Sequence, residues 1–498
     1  MEQDRASALL GVEGMRVVEV EVEDDGRLAV WVATDDPAAA VCPGCGVPAV
    51  RVHERVVTRP GDVRRGADPV VLVWLKRRWK CRNLGCGRAT FTESLPQVPS
   101  RARLTTRLRE HAAHLVGALG VPVARAAGES GLSWPTVHEA FTGQADTVLD
   151  RPLARVRVLG IDETRRGRPR FTLDPETGAY VQLADRWHTG FVDIDGEQGL
   201  LGQVEGRTAD DAAYWLAQAG PAWRQGIDIV VIDMCTIYAS AVARMLPHAT
   251  LAVDPFHVVQ LATKMVGDVR RRAIREKYGR RGRSGDPEYG IKNLLVRNLE
   301  HLRPDQFNKI LDTLGADGHG QQIAIAWIAK EKLRDLIRLR ASFTGHPPTP
   351  AEIRTALADF FTWCADHDHI PEVLTLARTI DRWREAIINA VLLGVSNARS
   401  EGLNRTIKLE GRKAYGFRNP ANQRRRARYA TTRTTRRPPN VTTKRSRPVT
   451  TDNPYRLDGG ERHSRSGNYS RSDPRRWSCD CGTGRLDGEA PSARTAHR

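Results

Sequence analysis

The sequence predicts a multidomain protein that combines α+β and α/β segments. Three observations predict this fold class. Short strand patterns and two cysteine pairs occupy the N-terminal part, and apolar strand runs alternate with helical patterns over residues 155–260. Residues 262–392 contain almost only helical patterns. The 498 residues suffice for about two to four domains with at least one large core.

The chain is strongly basic, with 77 Lys and Arg against 59 Asp and Glu, a net charge of +18 and a pI near 9.9. Such a surplus favours nucleic acid as a partner, and the alternative is a solvated basic surface or a charged tail. We find no apolar run near the roughly 20 residues of a membrane span and no signal peptide. We therefore expect a cytoplasmic location and no membrane partner, and in that reducing compartment the eight cysteines are expected to be metal ligands or free thiols.

Residues 1–98 are predicted to form a β-hairpin followed by a zinc ribbon. Valines alternate along residues 14–34 around an Asp25-Gly26 turn, which is typical of a hairpin. A CxxC pair and a second pair with four intervening residues then suit a closed tetrahedral Zn²⁺ site. Four cysteines packed as small hydrophobes are the alternative. The predicted zinc ligands are Cys42, Cys45, Cys81 and Cys86.

Basic and aromatic side chains interleave beside the second cysteine pair. Trp74 and Trp79 stand among Arg77, Arg78 and Lys80, and this mixture suits contact with phosphates and bases. We predict that the three basic residues contact DNA. The tryptophans are alternatively part of a hydrophobic core.

Residues 99–150 are predicted to form a helix-turn-helix. Helical patterns fill residues 101–142, with Gly120, Gly128 and Gly131 as breaks, and Ser133 can cap the last helix. In a helix-turn-helix the second helix enters a major groove. An ordinary helical hairpin is the alternative. The residues predicted to contact DNA are Ser133, Thr136 and His138, together with Arg103 of a basic upstream helix.

Three acidic residues, far apart in the chain, are candidate metal ligands. Two apolar runs, residues 158–161 and 229–232, end on Asp162 and Asp233, and Glu401 lies at the start of a helical pattern. Buried strands deliver carboxylates to the edge of a sheet in this way. Carboxylates around two Mg²⁺ (or Mn²⁺) ions about 4 Å apart catalyse phosphoryl transfer. For any one strand-end aspartate, capping or a surface turn is the alternative.

The helical pattern around Glu401 adds two further candidates. Asn404 and Lys408 share a face with Glu401, so we predict that they contact DNA, while Leu403 and Ile407 lie opposite and can pack.

Two other acids compete for the site. Asp254 also ends an apolar run, but Pro255 follows it, which favours an N-cap role. Glu163 would point to the opposite face of the strand from Asp162.

Several long motifs, in order over residues 35–437, resemble the ISL3 family (IS204/IS1001/IS1096/IS1165) of bacterial insertion-sequence transposases. They are CPGCG with CRNLGC, GIDETRRG, VVIDMCTIYASAV, AVDPFHVVQLA and SNARSEGLNRTIKLEGRKAYGFRNPANQRRR. The resemblance implies a zinc-binding N-terminal domain, a helix-turn-helix and an RNase H-like core of the DDE type. It assigns the three acids to Asp162, Asp233 and Glu401. His257, in the DPFH motif, is either a polar group near the site or a structural helix-capping histidine, and we favour the latter.

The spacing of the acids predicts an interrupted catalytic core. Asp233 and Glu401 are 168 positions apart, too far for a compact RNase H fold. The resemblance and the strand-free stretch therefore predict core segments at 151–261 and 393–437, separated by a helical insertion at 262–392. Trp327, Trp363 and Trp383 of the insertion are expected in its core.

The C-terminal segment departs from the family pattern. Residues 438–498 lack apolar periodicity and are predicted to be a disordered basic tail. Cys479 and Cys481 lie there, and we exclude them from any metal site.

We therefore predict a DNA transposase that binds the terminal inverted repeats of its element, then cleaves and joins DNA strands, as a homodimer or higher oligomer. Two alternatives remain. One is a zinc and helix-turn-helix regulator with an inactive core, and the other is a nuclease of the same fold.

Overall fold

The structure is a computed structural model that describes residues 5–184 and 186–432. The predicted tail, with Cys479 and Cys481, lies outside the described residues. The N-terminal elements are α1 (Arg5–Leu10), β1 (Met15–Val22), β2 (Leu28–Thr34), β3 (Val52–Thr58), β4 (Gly61–Arg65), β5 (Asp68–Lys80) and β6 (Thr90–Thr92).

These strands form one sheet in the order β1-β2-β5-β3, with β4 and β6 also pairing with β5. β1 and β2 are antiparallel and turn at Gly26, whose φ is +79°, as predicted for the Asp-Gly hairpin. Leu72 and Trp74 of β5 are fully buried in the hydrophobic core on one face of this sheet. β5 ends at Lys80, so the sheet delivers the chain directly to Cys81.

Three helices follow: α2 (Thr106–Gly117), α3 (Val123–Ser130) and α4 (Trp134–Leu149). The helix predicted from residue 101 begins only at Thr106, because Thr105 caps it by accepting a hydrogen bond from the Leu108 N–H. Arg103 therefore precedes the helix. Gly128 lies inside α3, and the break falls at Gly131, whose φ of +66° is a conformation that glycine adopts readily.

A five-stranded sheet forms the centre of the molecule, in the order β11-β10-β7-β12-β13. The elements of this region are β7 (Val158–Arg165), β8 (Arg170–Leu173), β9 (Tyr180–Ala184), β10 (Trp187–Asp193), β11 (Leu200–Glu205), α5 (Ala209–Gln218), α6 (Pro221–Gln225), β12 (Ile229–Ile232), α7 (Thr236–Met245) and β13 (Thr250–Val253).

The sheet is mixed, which corrects the predicted alternation of strands and helices. β7, β10 and β11 are antiparallel neighbours without intervening helices, and only β7, β12 and β13 run parallel. Within the part of the chain that the structure describes, β8 and β9 pair only with each other.

Residues 262–392 contain helices and no strand, as predicted. Their elements are α8 (Pro255–Tyr278), α9 (Pro287–Gly290), α10 (Lys292–Leu295), α11 (Pro304–Gly315), α12 (Gly318–Arg338), α13 (Ala341–Thr344), α14 (Pro350–Asp366), α15 (Pro371–Arg382) and α16 (Arg384–Leu393). Trp327 and Trp383 are buried in their core, and the Trp363 indole donates to the Ile325 carbonyl. α8 runs unbroken through the predicted boundary at 261/262.

The last two helices are α17 (Ala398–Lys413) and α18 (Pro420–Thr432). α17 packs on β7 and β10, where Ile407 is buried and Leu403 partly buried. α18 packs on β11 and on α4, so it joins the sheet to the helix-turn-helix. Among the described residues, the helices are all too short or too polar to cross a membrane.

Candidate active site

Three aspartates lie in one row across the parallel strands, with Asp162 inside β7 and with Asp233 and Asp254 directly after β12 and β13. β12 pairs with β7 through Val231↔Gly160 and with β13 through Ile232↔Val253. The same registers bring Asp233 opposite Asp162 on one side and Asp254 on the other. The two predicted strand-end acids are therefore neighbours, and Asp254 adds a third carboxylate.

The Asp162 carboxyl is in an environment that disfavours its negative charge. Burial, and then the nearby Asp233 carboxylate, raise the pKa of Asp162 to about 7. Two desolvated acids side by side repel each other. A cation held between them would relieve that repulsion, and hard carboxylate oxygens suit Mg²⁺.

His257 lies beside the row of aspartates. Its Nε2 is 3.0 Å from Oδ1 of Asp233, and this contact raises the pKa of His257. Asp233 Oδ1 is buried and has no well-aligned hydrogen-bond donor. The preferred structural capping role for His257 was thus wrong, because its side chain contacts the acid and Asp254 provides the cap.

Asp254 does cap α8, as predicted, by accepting a hydrogen bond from the Phe256 N–H at 3.3 Å. It also lies in a potential metal site. One ligand atom each from Asp233, Asp254 and His257 lie within 4.8 Å of one another. This group includes neither Asp162 nor Glu401. The apolar run before Asp254 did indicate an acid at the end of a strand. The proline that follows it favoured a capping role alone in the sequence analysis.

α17 is held against β7 at the row of acids. Asn397 Nδ2 donates to the Ile161 carbonyl at 3.2 Å, and Asn404 Nδ2 donates to Oδ2 of Asp162 at 2.7 Å. The Thr164 hydroxyl donates to Asn404 Oδ1. Asn404 therefore contacts an acid directly, whereas the sequence predicted only a contact with DNA.

Gly160 explains how α17 comes so close. A Cβ at this position would lie 2.6 Å from Asn397 Oδ1 and 2.7 Å from the Ser400 hydroxyl. Glu401 follows Ser400 in the first turn of α17 and is half-buried, while Lys408 is exposed. The absent side chain at position 160 thus lets the helix start beside the row of acids.

Glu163 faces away from the row of acids, as predicted. It acts electrostatically on Tyr238, a buried residue of α7. The Tyr238 hydroxyl lies 3.1 Å from the Thr189 hydroxyl. Burial, together with Glu163, raises the pKa of Tyr238. The Glu163 side chain thus lies on the face of the sheet opposite the row of acids.

The sulfur atoms of the four predicted cysteines form one cluster. Their sulfurs lie within 4.8 Å of one another, with Cys42–Cys86 at 3.9 Å and Cys45–Cys81 at 3.6 Å. Zinc bonds of about 2.3 Å in a tetrahedron place sulfurs about 3.8 Å apart, so the cluster fits Zn²⁺. The N–H of Gly44 and then that of Cys45 lower the pKa of the Cys42 thiol to about 7, which favours a thiolate.

The predicted basic DNA contacts in and just after the ribbon divide into paired and exposed groups. Arg77 binds the buried Glu93 at 2.5 Å, and Arg78 binds Glu54 at 2.7 Å. Lys80 and Arg103 are exposed. The first two side chains already have partners within the domain, so the latter two are better placed to meet phosphates.

The predicted recognition helix, α4, begins as the sequence indicated. The Ser133 hydroxyl caps it by accepting from the Thr136 N–H at 3.4 Å, and the Ser133 and Thr136 hydroxyls are 2.8 Å apart. His138 stacks on Trp134, with ring centroids 4.8 Å apart. Trp134 is 47% exposed, an outward aromatic that was not among the predicted DNA contacts.

A four-cysteine ribbon, a helix-turn-helix and a row of acids on a mixed sheet together define a protein that processes DNA. Known family domains match all three parts. The helix-turn-helix domain of transposase family ISL3 matches residues 93–143, and the zinc finger of transposase IS204/IS1001/IS1096/IS1165 matches residues 38–86. The ISL3 transposase domain matches residues 159–427, more than half of the chain. The chain belongs to the ISL3 family of transposases, and its function is DNA transposition.

Full-length relatives agree with this assignment. The transposase for insertion sequence element IS1001 of Bordetella parapertussis is 26% identical over 83% of this chain and 94% of its own length. The transposase for insertion sequence element IS1557 of Mycobacterium tuberculosis is 28% identical over 83% of this chain and 92% of its own length. The Drosophila P element transposase strand transfer complex aligns at a TM-score of 0.35 and 9% identity, over 66% of this chain and 91% of that one.

Proposed function

We propose that this transposase is of the DDE type, with an RNase H-like core in which Asp162, Asp233 and Glu401 bind Mg²⁺ or Mn²⁺. The observation that carries the proposal is the parallel register of β7 and β12, which brings Asp233, directly after β12, beside Asp162 of β7. The mixed sheet, with its first strand in the middle, supports the core fold. Glu401 lies in the first turn of α17, the helix that is anchored on β7.

Divalent metal would activate the attacking oxygen and stabilise the leaving oxygen at the scissile phosphate. The protein's own residues prepare this chemistry. Asn404 orients Asp162 by donating to one of its oxygens, and the His257 ring balances the charge of Asp233. Burial excludes water, which strengthens the attraction between the acids and a cation.

The DNA-binding role belongs to the N-terminal domains in this proposal. The four-cysteine cluster holds structural Zn²⁺, and Lys80 and Arg103 contact phosphates of the terminal inverted repeat. α4 contacts bases in the major groove through its N-terminal part, which includes Ser133, Thr136 and His138. Two ends must be held together during transposition, so we infer at least a dimer on DNA.

A cleavage assay on the terminal repeat tests the catalytic assignment. Asp162→Asn, Asp233→Asn and Glu401→Gln are expected to bind the repeat like the wild type. They should cut it at least about a hundredfold more slowly, because each removes a ligand worth several kcal/mol of transition-state stabilisation. Asp268→Asn, at a side chain of α8 that is 41% exposed, and Glu385→Gln, at an exposed position of α16, are matched controls that should cut normally.

Asp254 supplies the decisive comparison. If Glu401→Gln cuts normally while Asp254→Asn is inactive, then the third acid is Asp254 and the assignment of Glu401 is wrong. The two alternative functions separate in the same assay. Binding without metal-dependent cutting indicates a regulator, and cutting without any joined product from a pre-cleaved end indicates a nuclease.

A further inference from the structure

A small β-hairpin, formed by β8 and β9, projects from the carboxyl end of β7. β7 carries Asp162 and ends at Arg165, five residues before β8 begins. The hairpin strands pair with each other and, among the described residues, with no other strand. An isolated two-stranded hairpin is only marginally stable in water. We therefore expect this hairpin to be stabilised by contact with a bound partner.

One face of this hairpin is apolar and exposed. Leu173 pairs with Tyr180, and Phe171 lies two residues from Leu173, so the three side chains share a face. Phe171 and Leu173 are each 53% exposed, and Tyr180 is 77% exposed. Aromatic side chains that stand in water on a free strand pair are suited to stack on a flat ligand.

The base of the hairpin is strongly positive. Arg165, Arg168 and Arg170 are exposed. Arg165 and Arg207 both lie over the ring of Trp187, at 5.5 Å and 4.8 Å from its centre.

Arg186 extends this positive cluster. Burial, and then the charges of Arg166 and Arg170, lower the pKa of Arg186. Among the described residues, Glu205 lies 3.9 Å from Arg166. The exposed Arg165, Arg168 and Arg170 can meet an external anion.

We propose that this hairpin is a DNA arm, whose arginines bind backbone phosphates and whose Phe171 and Tyr180 stack on unpaired bases beside the scissile phosphate. The proposal rests on the proposed function, since it places the arm next to the strand that carries Asp162. The charge at its base and the aromatic face above it match a single strand. Three side chains cover far less than the roughly 800 Å² per partner of a stable protein interface, which argues against a second copy as the occupant.

Equilibrium binding without added divalent metal tests the arm separately from catalysis. The probes are a fluorescein-labelled duplex and the same duplex with a short unpaired bubble, followed by anisotropy. The wild type is expected to prefer the bubble. Phe171→Ala combined with Tyr180→Ala should weaken bubble binding by about tenfold or more and duplex binding by less than about twofold.

Three further variants sharpen the result. Phe171→Trp combined with Tyr180→Trp keeps two aromatic faces and should retain the preference for the bubble. Arg168→Ala combined with Arg170→Ala should weaken both probes alike, as lost phosphate contacts do. Phe343→Ala combined with Tyr214→Ala removes the same residue types at sites that are 60% and 63% exposed, and should change neither.

Contrary outcomes are distinct from one another. Equal loss on both probes, or no loss, in the Phe171 and Tyr180 double variant would overturn the arm. A change in sedimentation of this variant with unchanged DNA affinity would overturn it as well, and would make the hairpin a protein contact. If the wild type binds neither probe, the proposed function itself fails, whereas a binding wild type with an equally binding variant refutes the arm alone.

Discussion

Asn404 donates a 2.7 Å hydrogen bond to Oδ2 of Asp162, a residue 242 positions earlier in the chain. The same amide accepts from the Thr164 hydroxyl. One side chain thus fixes the helix that carries Glu401 to the strand that carries Asp162.

Replacing Asn404 by Leu should slow cleavage of the terminal repeat without weakening repeat binding. A hydrogen bond to a charged group contributes about 1.5–3 kcal/mol, so we expect cleavage to fall by about tenfold to a hundredfold. Single-turnover cleavage and anisotropy measure the two quantities.

Asn389→Leu is the matched control for that variant. Asn389 also donates to a partner across the fold, the Leu251 carbonyl at 2.9 Å, but it lies on α16, away from Asp162. It should lower stability and leave cleavage per folded molecule unchanged. Equal slowing in both variants would show that the Asn404 effect is only structural.

The strands, the cysteine cluster and the helix cap that the sequence predicted correctly depend on local patterns. The apolar runs before Asp162 and Asp233 indicate strands by themselves, and the spacing of the cysteine pairs indicates a metal cluster. The Ser133 cap likewise depends on a few neighbouring residues. Each of these patterns consists of residues close together in the sequence, so it can be recognised without knowledge of the tertiary structure.

The parts that were missed depend on long-range pairing. Asp254 joins Asp233 only because β12 and β13 pair in one register, and a one-residue slip would turn it to the other face. His257 contacts Asp233 because α8 starts at that edge. The antiparallel direction of β10 has no local signature either, since alternation along a strand is the same in both directions.

Loss of one cysteine ligand should release the zinc. Cys42→Ser is expected to abolish bound zinc, measured with a chromogenic chelator on purified protein, and to lower the melting temperature of the N-terminal domain, because metal binding is coupled to folding. Cys364→Ser is the control, since this buried cysteine lies in α14, outside the cluster. Bound zinc that persists in Cys42→Ser would contradict the four-cysteine site.

Two neighbouring arginines of α18 should differ sharply in their contribution to stability. Arg426 and its partner Glu410 are 3.2 Å apart, with side chains only 3% and 6% exposed. Arg426 also donates to the Val121 carbonyl, in the turn between α2 and α3. Arg426→Met should cost about 3 kcal/mol, because it leaves a buried carboxylate with only Lys413 beside it.

Arg425 is the internal comparison. It pairs with Asp146 at 2.9 Å, but both side chains are about one-third exposed. Arg425→Met should cost less than about 1 kcal/mol, as solvent-exposed pairs do. Denaturant unfolding of the helix-turn-helix, followed through a local probe, measures both. Equal costs would show that the buried pair does not hold α18 to this domain.

His188 should make the central sheet sensitive to acid. It is 2% exposed on β10, and burial, with nearby Arg424 and Arg166, lowers its pKa to about 4. The unfolded chain, with an ordinary pKa near 6.5, therefore binds this proton more readily than the folded protein. The stability contribution is complete above pH 6.5 and is lost as the pH falls toward 4. Between pH 7.5 and pH 5 the loss from this one group is about 2 kcal/mol.

Replacing His188 by Gln removes this titration. The variant should lose less stability than the wild type between pH 7.5 and pH 5, so that the two unfolding free energies converge or cross as the pH falls. Urea unfolding at several pH values measures the difference, and His346→Gln, at an exposed position, should follow the wild-type profile. Parallel pH profiles for wild type and His188→Gln would mean that His188 accepts its proton in the folded sheet as easily as in water, and that Arg166 and Arg424 do not oppose its charge.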